Sequence, residues 1–509
     1  MSSSAAASPA APDELTPFRR WAILWAVVVA GTLYSLAILV VSVLLPQMQG
    51  SLSATQDQIS WVVTFNILAT AVTTPMTGWL TARFGRRRVM LWCTAGFTLA
   101  TLGCGLSDSL AAMVLWRVMQ GGFGAPLVPL GQAIILDTFP KDQHGRATSI
   151  FGMGVVVGPV IGPTLGGALA ELYGWRWAFY MIVPLGAAAL VGLYLVLTDK
   201  GREQNARLDW TGFLALSAAV ICLQLVLGRG QQNDWFDSLE IIVEAGLALL
   251  ALYVFAAHSL TAERPFLNPR LLLDRNYAVG LAVVTVYGML NFTPMVLLPP
   301  MLQGLMGFPD SVIGMILGAR GIGALGGFFA AMWFAKLDPR IGMALGYAMQ
   351  AASGWMMADF DMNITMTDVA IHSLVQGLAV GIIWVPLTVA TFSTIDSRYL
   401  AEGSSVFHLL RNMGSSAYIS LSVTLVIMTG AASYSGLSGG VTIFGGALDM
   451  APNAHGWSVD TTGAIAGLER EMRRQATLIG YLNAFYAYAI TNMAVIPLVM
   501  LMRVKPKPG

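Results

Sequence analysis

The sequence predicts an all-α polytopic membrane protein, on three observations. Of 509 residues, 56% are hydrophobic and 11% are charged, against about 25% charged in ordinary soluble domains. The apolar residues come as many separate runs, each about long enough to cross a ~30 Å hydrocarbon layer, not as one soluble core, which stops growing near ~250–300 residues. The Lys and Arg residues alternate between the connections: 20 of the 28 fall on the side of the N-terminus, 5 on the opposite side, and Arg117, Arg320 and Arg411 fall inside runs. By the positive-inside rule both termini are cytoplasmic.

Fourteen transmembrane helices are predicted, at 21–45, 59–82, 89–107, 110–136, 147–170, 177–197, 210–227, 239–258, 277–303, 311–335, 341–358, 367–392, 403–430 and 479–502. Gly and Pro interrupt several of them, which bundled membrane helices tolerate. The Ala/Ser/Pro-rich start lacks an apolar stretch and reads as a disordered tail, not a signal peptide. The organisation read from this is a tail (1–18), a six-helix half (19–200), an inserted helix pair with linkers (201–275), a second six-helix half (276–502) and a tail (503–509). A long outer loop, 431–478, precedes the last helix. Its charged stretch around Glu469–Arg474 reads as an interfacial or solvated helix, with a docking surface as the alternative.

Several function classes are disfavoured. A net charge of +1 gives no basic field for nucleic acid. Cys93, Cys104 and Cys222 form no CxxC pair, and the five histidines are dispersed, so no metal or catalytic cluster is read. There is no GxxxxGK[ST] nucleotide loop. No catalytic residue, cofactor or metal is expected, and an integral-membrane enzyme or a transport-deficient sensor is a remote alternative.

Three segments carry more. The connection after the second helix contains Gly78, Arg83, Gly85, Arg86 and Arg87, a glycine turn presenting arginines that can bond helix carbonyl ends and inner acids. Plain positive-inside charge explains the arginines but not the glycines. The fourth helix carries Arg117 followed by Gln120-Gly121. A guanidinium at that depth costs at least ~2.5–3.5 kcal/mol and is functional by default, with a structural carbonyl-bonding role as the alternative. The fifth helix repeats Gly154, Gly158, Gly162 and Gly166 every four residues, with Pro159 and Pro163 between them. That stripe lets another helix backbone approach and slide, and the prolines free carbonyls; ordinary helix packing is the competing reading.

Together these segments resemble the signature loop, the buried Arg motif and the antiporter motif of the major facilitator superfamily. With fourteen helices, Leu298–Gln303 and Leu410–Ser416, the chain resembles the EmrB/QacA-type drug:proton antiporters over its whole length after the tail. The resemblance implies the major facilitator fold, two six-helix halves plus two inserted central helices. It implies a secondary-active exporter of small amphipathic compounds in the cell inner (cytoplasmic) membrane, working by alternating access and proton antiport. A dedicated metabolite transporter of the same fold is the alternative. The Gram-negative branch implies a periplasmic adaptor and an outer-membrane channel as partners.

The chain departs from the family twice: Ala82 stands where the signature loop has an acid, and Ala37 where the first helix has its Asp. Asp137 and His408 are the replacement coupling candidates beside Arg117; a packed core residue is the other reading of His408. A midplane pocket is assigned from aromatic and amide residues: Tyr34, Phe65, Asn66 and Gln132 in the first half, and Tyr287, Asn291, Phe292, Trp384 and Arg411 in the second. Without the first-helix acid, Arg117 is expected to stand in the cavity as a fixed positive charge, with Arg411, and to favour anionic or zwitterionic amphipaths.

Overall fold

The computed structural model describes residues 16–198, 207–334, 338–440 and 462–503, and these contain no strand. The chain runs α1 (Pro17–Ser51), α2 (Gln56–Thr73), α3 (Thr77–Phe84), α4 (Arg86–Gly105), α5 (Leu110–Gly124), α6 (Leu127–Thr138), α7 (His144–Tyr173), α8 (Arg176–Tyr180) and α9 (Ile182–Val196). The segment predicted as an inserted pair forms α10 (Trp210–Arg229) and α11 (Leu239–Thr261). The remainder is α12 (Arg275–Gly304), α13 (Asp310–Phe334), α14 (Pro339–Met357), α15 (Met366–Phe392), α16 (Leu400–Gly440) and α17 (Thr462–Met500).

Every predicted segment falls on helix, and three are broken. Pro75 and Pro126 lack an N–H and crowd the preceding turn, so α2 passes into α3 through a 3₁₀ turn at Thr74–Met76 and α5 passes into α6 at Ala125–Pro126. The third break separates α8 from α9 at Met181. Eleven helices among the described residues are long and apolar enough to cross a membrane. Segments α4, α5–α6 and α14 are not among them: α4 opens on three arginines, α5–α6 is interrupted and α14 has 19 residues of modest hydropathy. The starts follow local chemistry: Thr55 with Gln58 and Thr365 with Asp368 form capping boxes, and Ser109, Asp209, Asp274 and Asp338 cap their helices.

Both ends of the predicted outer connection are helical. Residues 431–440 continue α16 and 462–478 already belong to α17; 441–461 lie outside the described residues. Pairs one turn apart hold the α17 extension helical, Glu469 with Arg473 at 2.7 Å and Glu471 with Gln475 at 2.7 Å. Arg474 donates to the Leu305 carbonyl at 2.7 Å, tying the extension to the end of α12.

One core draws on α1–α9, and two others draw chiefly on α12–α17. In the first, the glycine stripe of α7 faces α1. A Cβ at Gly158 would lie 2.7 Å from the backbone of Thr32 and Leu36, and Thr32 Oγ1 donates to the Gly154 carbonyl at 2.8 Å. Gly162 and Gly166 meet Leu36 and Val40 of the same helix. The second half has a similar contact, where Gly377 and Gly381 of α15 press onto the α13 backbone at Arg320 and Gly327.

The inserted pair is anchored by one carboxylate. Asp209 caps α10 through the Gly212 N–H (3.0 Å), pairs with His258 of α11 (2.9 Å) and accepts from the Phe266 N–H (3.0 Å). Burial opposes its ionisation, but the bonds from Gly212, His258 and Phe266 outweigh that and hold its carboxyl below the usual carboxylate range. Because the folded state binds the proton less tightly, the contribution is complete above the unfolded value near ~3.9 and is lost as pH falls through the lowered native value. Asp209→Ala is expected to cost about 0.5–2 kcal/mol, as for a lost N-cap. Thermal unfolding at pH 7 checks this, and the difference from the unaltered protein should shrink below about pH 4.

Candidate functional site

Between the halves lies a cavity of about 570 Å³, walled by α1, α7, α12, α13, α15 and α16. Tyr34 and Ile38 of α1 and Pro159 of α7 line one side. Tyr287, Asn291 and Phe292 of α12, with Trp384 and Arg411, line the other. Arg320 of α13 also lines it. A cation inside an apolar run marks this residue in the sequence as plainly as it marks Arg117, yet it was not among the expected site residues.

Both cavity cations are held by neutral groups. Arg320 donates to the carbonyl and side-chain oxygens of Asn291 at 2.5 and 2.9 Å and contacts Met295 Sδ. Its Nε is buried without a partner. Arg411 bonds Asn412 Oδ1 at 3.0 Å and lies over the Trp384 ring, 5.5 Å from the centroid. Trp384 in turn packs against Tyr287, with centroids 5.2 Å apart. No Asp or Glu is among the lining residues described. The site therefore presents unbalanced positive charge inside a mainly apolar wall.

Other expected residues fall elsewhere. Arg117 is 1% exposed and does not reach the cavity. Its Nε donates to the Val62 carbonyl at 3.1 Å, its Nη1 bonds Gln120 Oε1, and Gln120 passes the chain to Thr101 at 2.7 Å. Of the two charges expected in the cavity, Arg411 lines it and Arg117 does not; Arg320 stands there instead. Asn66 bonds the Arg117 carbonyl at 2.8 Å and is buried between α2 and α5. Phe65, its neighbour, points the other way, into a lateral crevice. Gln132 is buried, and its Oε1 meets His408 Nε2 at 2.7 Å, a bond between α6 and α16 that joins the halves.

Contacts between the halves close the arginine-rich face. Gly85 has φ +87°, a left-handed conformation that suits glycine and turns α3 sharply into α4. Arg86 then reaches Asp137 at 2.8 Å and the Ser397 carbonyl of the second half at 2.5 Å. Asp137 supplies the acid that Ala82 lacks. Lys141 donates to the Ser393 carbonyl at 3.0 Å. Gly78 admits Glu402 so closely that a Cβ would lie 2.9 Å from the Glu402 backbone. Arg87 lies over the Tyr194 ring (5.1 Å). Arg83 is exposed. The cavity extends the opposite way, toward Val43, Pro299 and Gly314. Pro163 belongs to α7, but its side chain lies outside the described residues.

A helical membrane protein with two packed halves, a central cavity and one closed face is built as a transporter. The chain belongs to the Major Facilitator Superfamily, whose family model matches residues 27–419. It is 32% identical over 385 residues to the multidrug export protein EmrB of Haemophilus influenzae, covering 75% of this chain and 76% of the relative. The fatty acid resistance protein FarB of Neisseria gonorrhoeae is 27% identical over 496 residues, covering 95% and 97%. The crystal structure of the human organic anion transporter MFSD10 superposes with a TM-score of 0.64 at 14% identity, covering 95% of this chain and 100% of that one, which shows the fold alone. The EmrB-type likeness read from the sequence motifs is thereby shown.

Arg117 and Arg411 should separate in their effects. Arg117→Ala strips charge-assisted bonds from Val62 and Gln120, worth about 1.5–3 kcal/mol each, and is expected to lower the thermal unfolding midpoint. Arg411→Ala removes a cavity group and is expected to leave that midpoint near its original value. Unfolding of both variants in detergent checks the contrast.

Proposed function

We propose that this protein exports small amphipathic compounds across the cytoplasmic membrane by alternating access, with a preference for those carrying a carboxylate. The carrying observation is the cavity itself: an apolar and aromatic wall holding Arg320 and Arg411, with neutral partners and no lining acid among the described residues. A guanidinium binds a carboxylate through paired N–H bonds, and the unpartnered Arg320 Nε is a donor awaiting an acceptor. Phe292, Met295 and Trp384 supply surface for an apolar body. The names of the relatives, multidrug export and fatty acid resistance, support both halves of the reading.

The closed arginine-rich face, with the cavity extending the opposite way, supports a cycle in which the halves rock about the cavity. The work done is movement of a compound, not making or breaking its bonds. Asp137 is committed to Arg86 at the closed face, so His408, beside Trp384 and bonded across the halves, is the titratable group better placed to carry a proton. The helical extensions of α16 and α17 are the surface proposed to meet a periplasmic adaptor and, through it, an outer-membrane channel.

Transport into proteoliposomes of amphipathic carboxylates and of lipophilic cations tests this. Carboxylates are expected to move, and Arg320→Gln or Arg411→Gln should each cut their uptake roughly tenfold to a hundredfold, the value of a charge-assisted bond. Robust cation transport with no carboxylate transport would overturn the preference. With a pH-sensitive dye enclosed, His408→Gln is expected to abolish substrate-driven proton flux and Asp137→Asn to leave some of it.

A further inference from the structure

A second cavity, of about 650 Å³, lies away from the central site, between α2–α3, α4 and α5 on one side and Ile221 of the inserted α10 on the other. Of its lining side chains only Thr73 is polar. It opens sideways, since Trp92 and Phe65 in its wall are 52% and 41% exposed. Along α2–α3 it runs from Phe65 to Leu80. At 1.5 Å per residue that is about 22 Å, longer than one ~15 Å leaflet of hydrocarbon. Water gains nothing in such a space, which lacks the polar partners a buried water needs.

The rim at the arginine-rich end carries charge. Arg86 is engaged with Asp137 and Ser397, and Arg87 with Tyr194. Arg88 is exposed. It stands one helical turn before Trp92, so the two share a face of α4, and Val89 beside it lines the crevice. An apolar trough of acyl length thus ends at an exposed cation at headgroup level.

We propose that this crevice is a lipid site: it holds an acyl chain of an anionic phospholipid from the leaflet at the arginine-rich face, with the headgroup on Arg88. The lipid would fill the space beside α2–α3 and α4 to which α10 contributes Ile221, while α10 packs on α2–α3 nearby through Leu216 and Val220 against Ala71. The inference rests on the membrane fold and not on what the central cavity transports.

Purified protein offered equal phosphatidylglycerol and phosphatidylethanolamine, with bound lipid counted by native mass spectrometry, tests it. Phosphatidylglycerol is expected to be retained preferentially, and Arg88→Gln should reduce its retention about fivefold, the effect of one basic residue at an anionic surface. Gly122→Leu should displace both lipids, because its side chain would grow into the crevice, the nearest atom to a Cβ there being Thr73 Oγ1 at 3.6 Å. Independently, phosphatidylglycerol with brominated acyl chains should quench a component of tryptophan emission that Trp92→Phe removes. Unchanged lipid preference in Arg88→Gln, or quenching identical in Trp92→Phe, would overturn the proposal. So would a Gly122→Leu variant that retains both lipids but no longer transports, since the crevice would then hold the transported compound.

Discussion

A guanidinium cannot rest in hydrocarbon without partners, and this constraint organises the protein. Three arginines lie inside the bundle, and each is satisfied differently. Arg117 is closed off within the first half by the Val62 carbonyl and by Gln120, one turn along its own helix. Arg320 is braced by Asn291 and Arg411 by Asn412 and the Trp384 face, leaving their charge turned toward the central cavity. The first arginine stiffens one half. The other two make the space between the halves attractive to an anion.

The same economy of charge governs the closed face. The connection between α3 and α4 turns on one left-handed glycine, which aims Arg86 at both Asp137 and the backbone of the opposite half. Arg86 therefore couples an acid within its own half to a carbonyl across the interface, a bond that must break if this face is to open. Hydrophobic contact binds the elements of each half and also joins the halves, where Ala133 and Leu136 of α6 pack into the second core, and polar contacts such as the His408–Gln132 bond lie beside it.

The helices were legible because each apolar run is long enough to average out its exceptions. Their breaks were not, since Pro75 and Pro126 each interrupt a run without ending its hydrophobicity. The α17 extension was legible as a helix from its charged stretch, where polar residues pair one turn apart, whereas the continuation of α16 through 431–440, a Gly/Ser-rich run, was not. At the site, Tyr34, Tyr287, Asn291, Phe292, Trp384 and Arg411 do line the cavity, whereas Phe65, Asn66 and Gln132 do not. A sequence gives a residue's depth in the membrane but not the azimuth of its helix, and Phe65 and Asn66, adjacent in the chain, end up on different sides of α2. Arg320 required only the rule already applied to Arg117. Asp137 as the partner of Arg86 needed the fold, because 51 residues separate them.

The central claim is that the cavity selects its occupants by their negative charge. Binding to the purified protein of an amphipathic carboxylate and of its neutral amide, identical in apolar body, measures that by titration calorimetry. The account predicts that the carboxylate binds at least tenfold more tightly, the worth of a single charge-assisted bond, and that the difference disappears when Arg320 and Arg411 are both replaced by Gln. Equal affinity of the two compounds for the unaltered protein would contradict it.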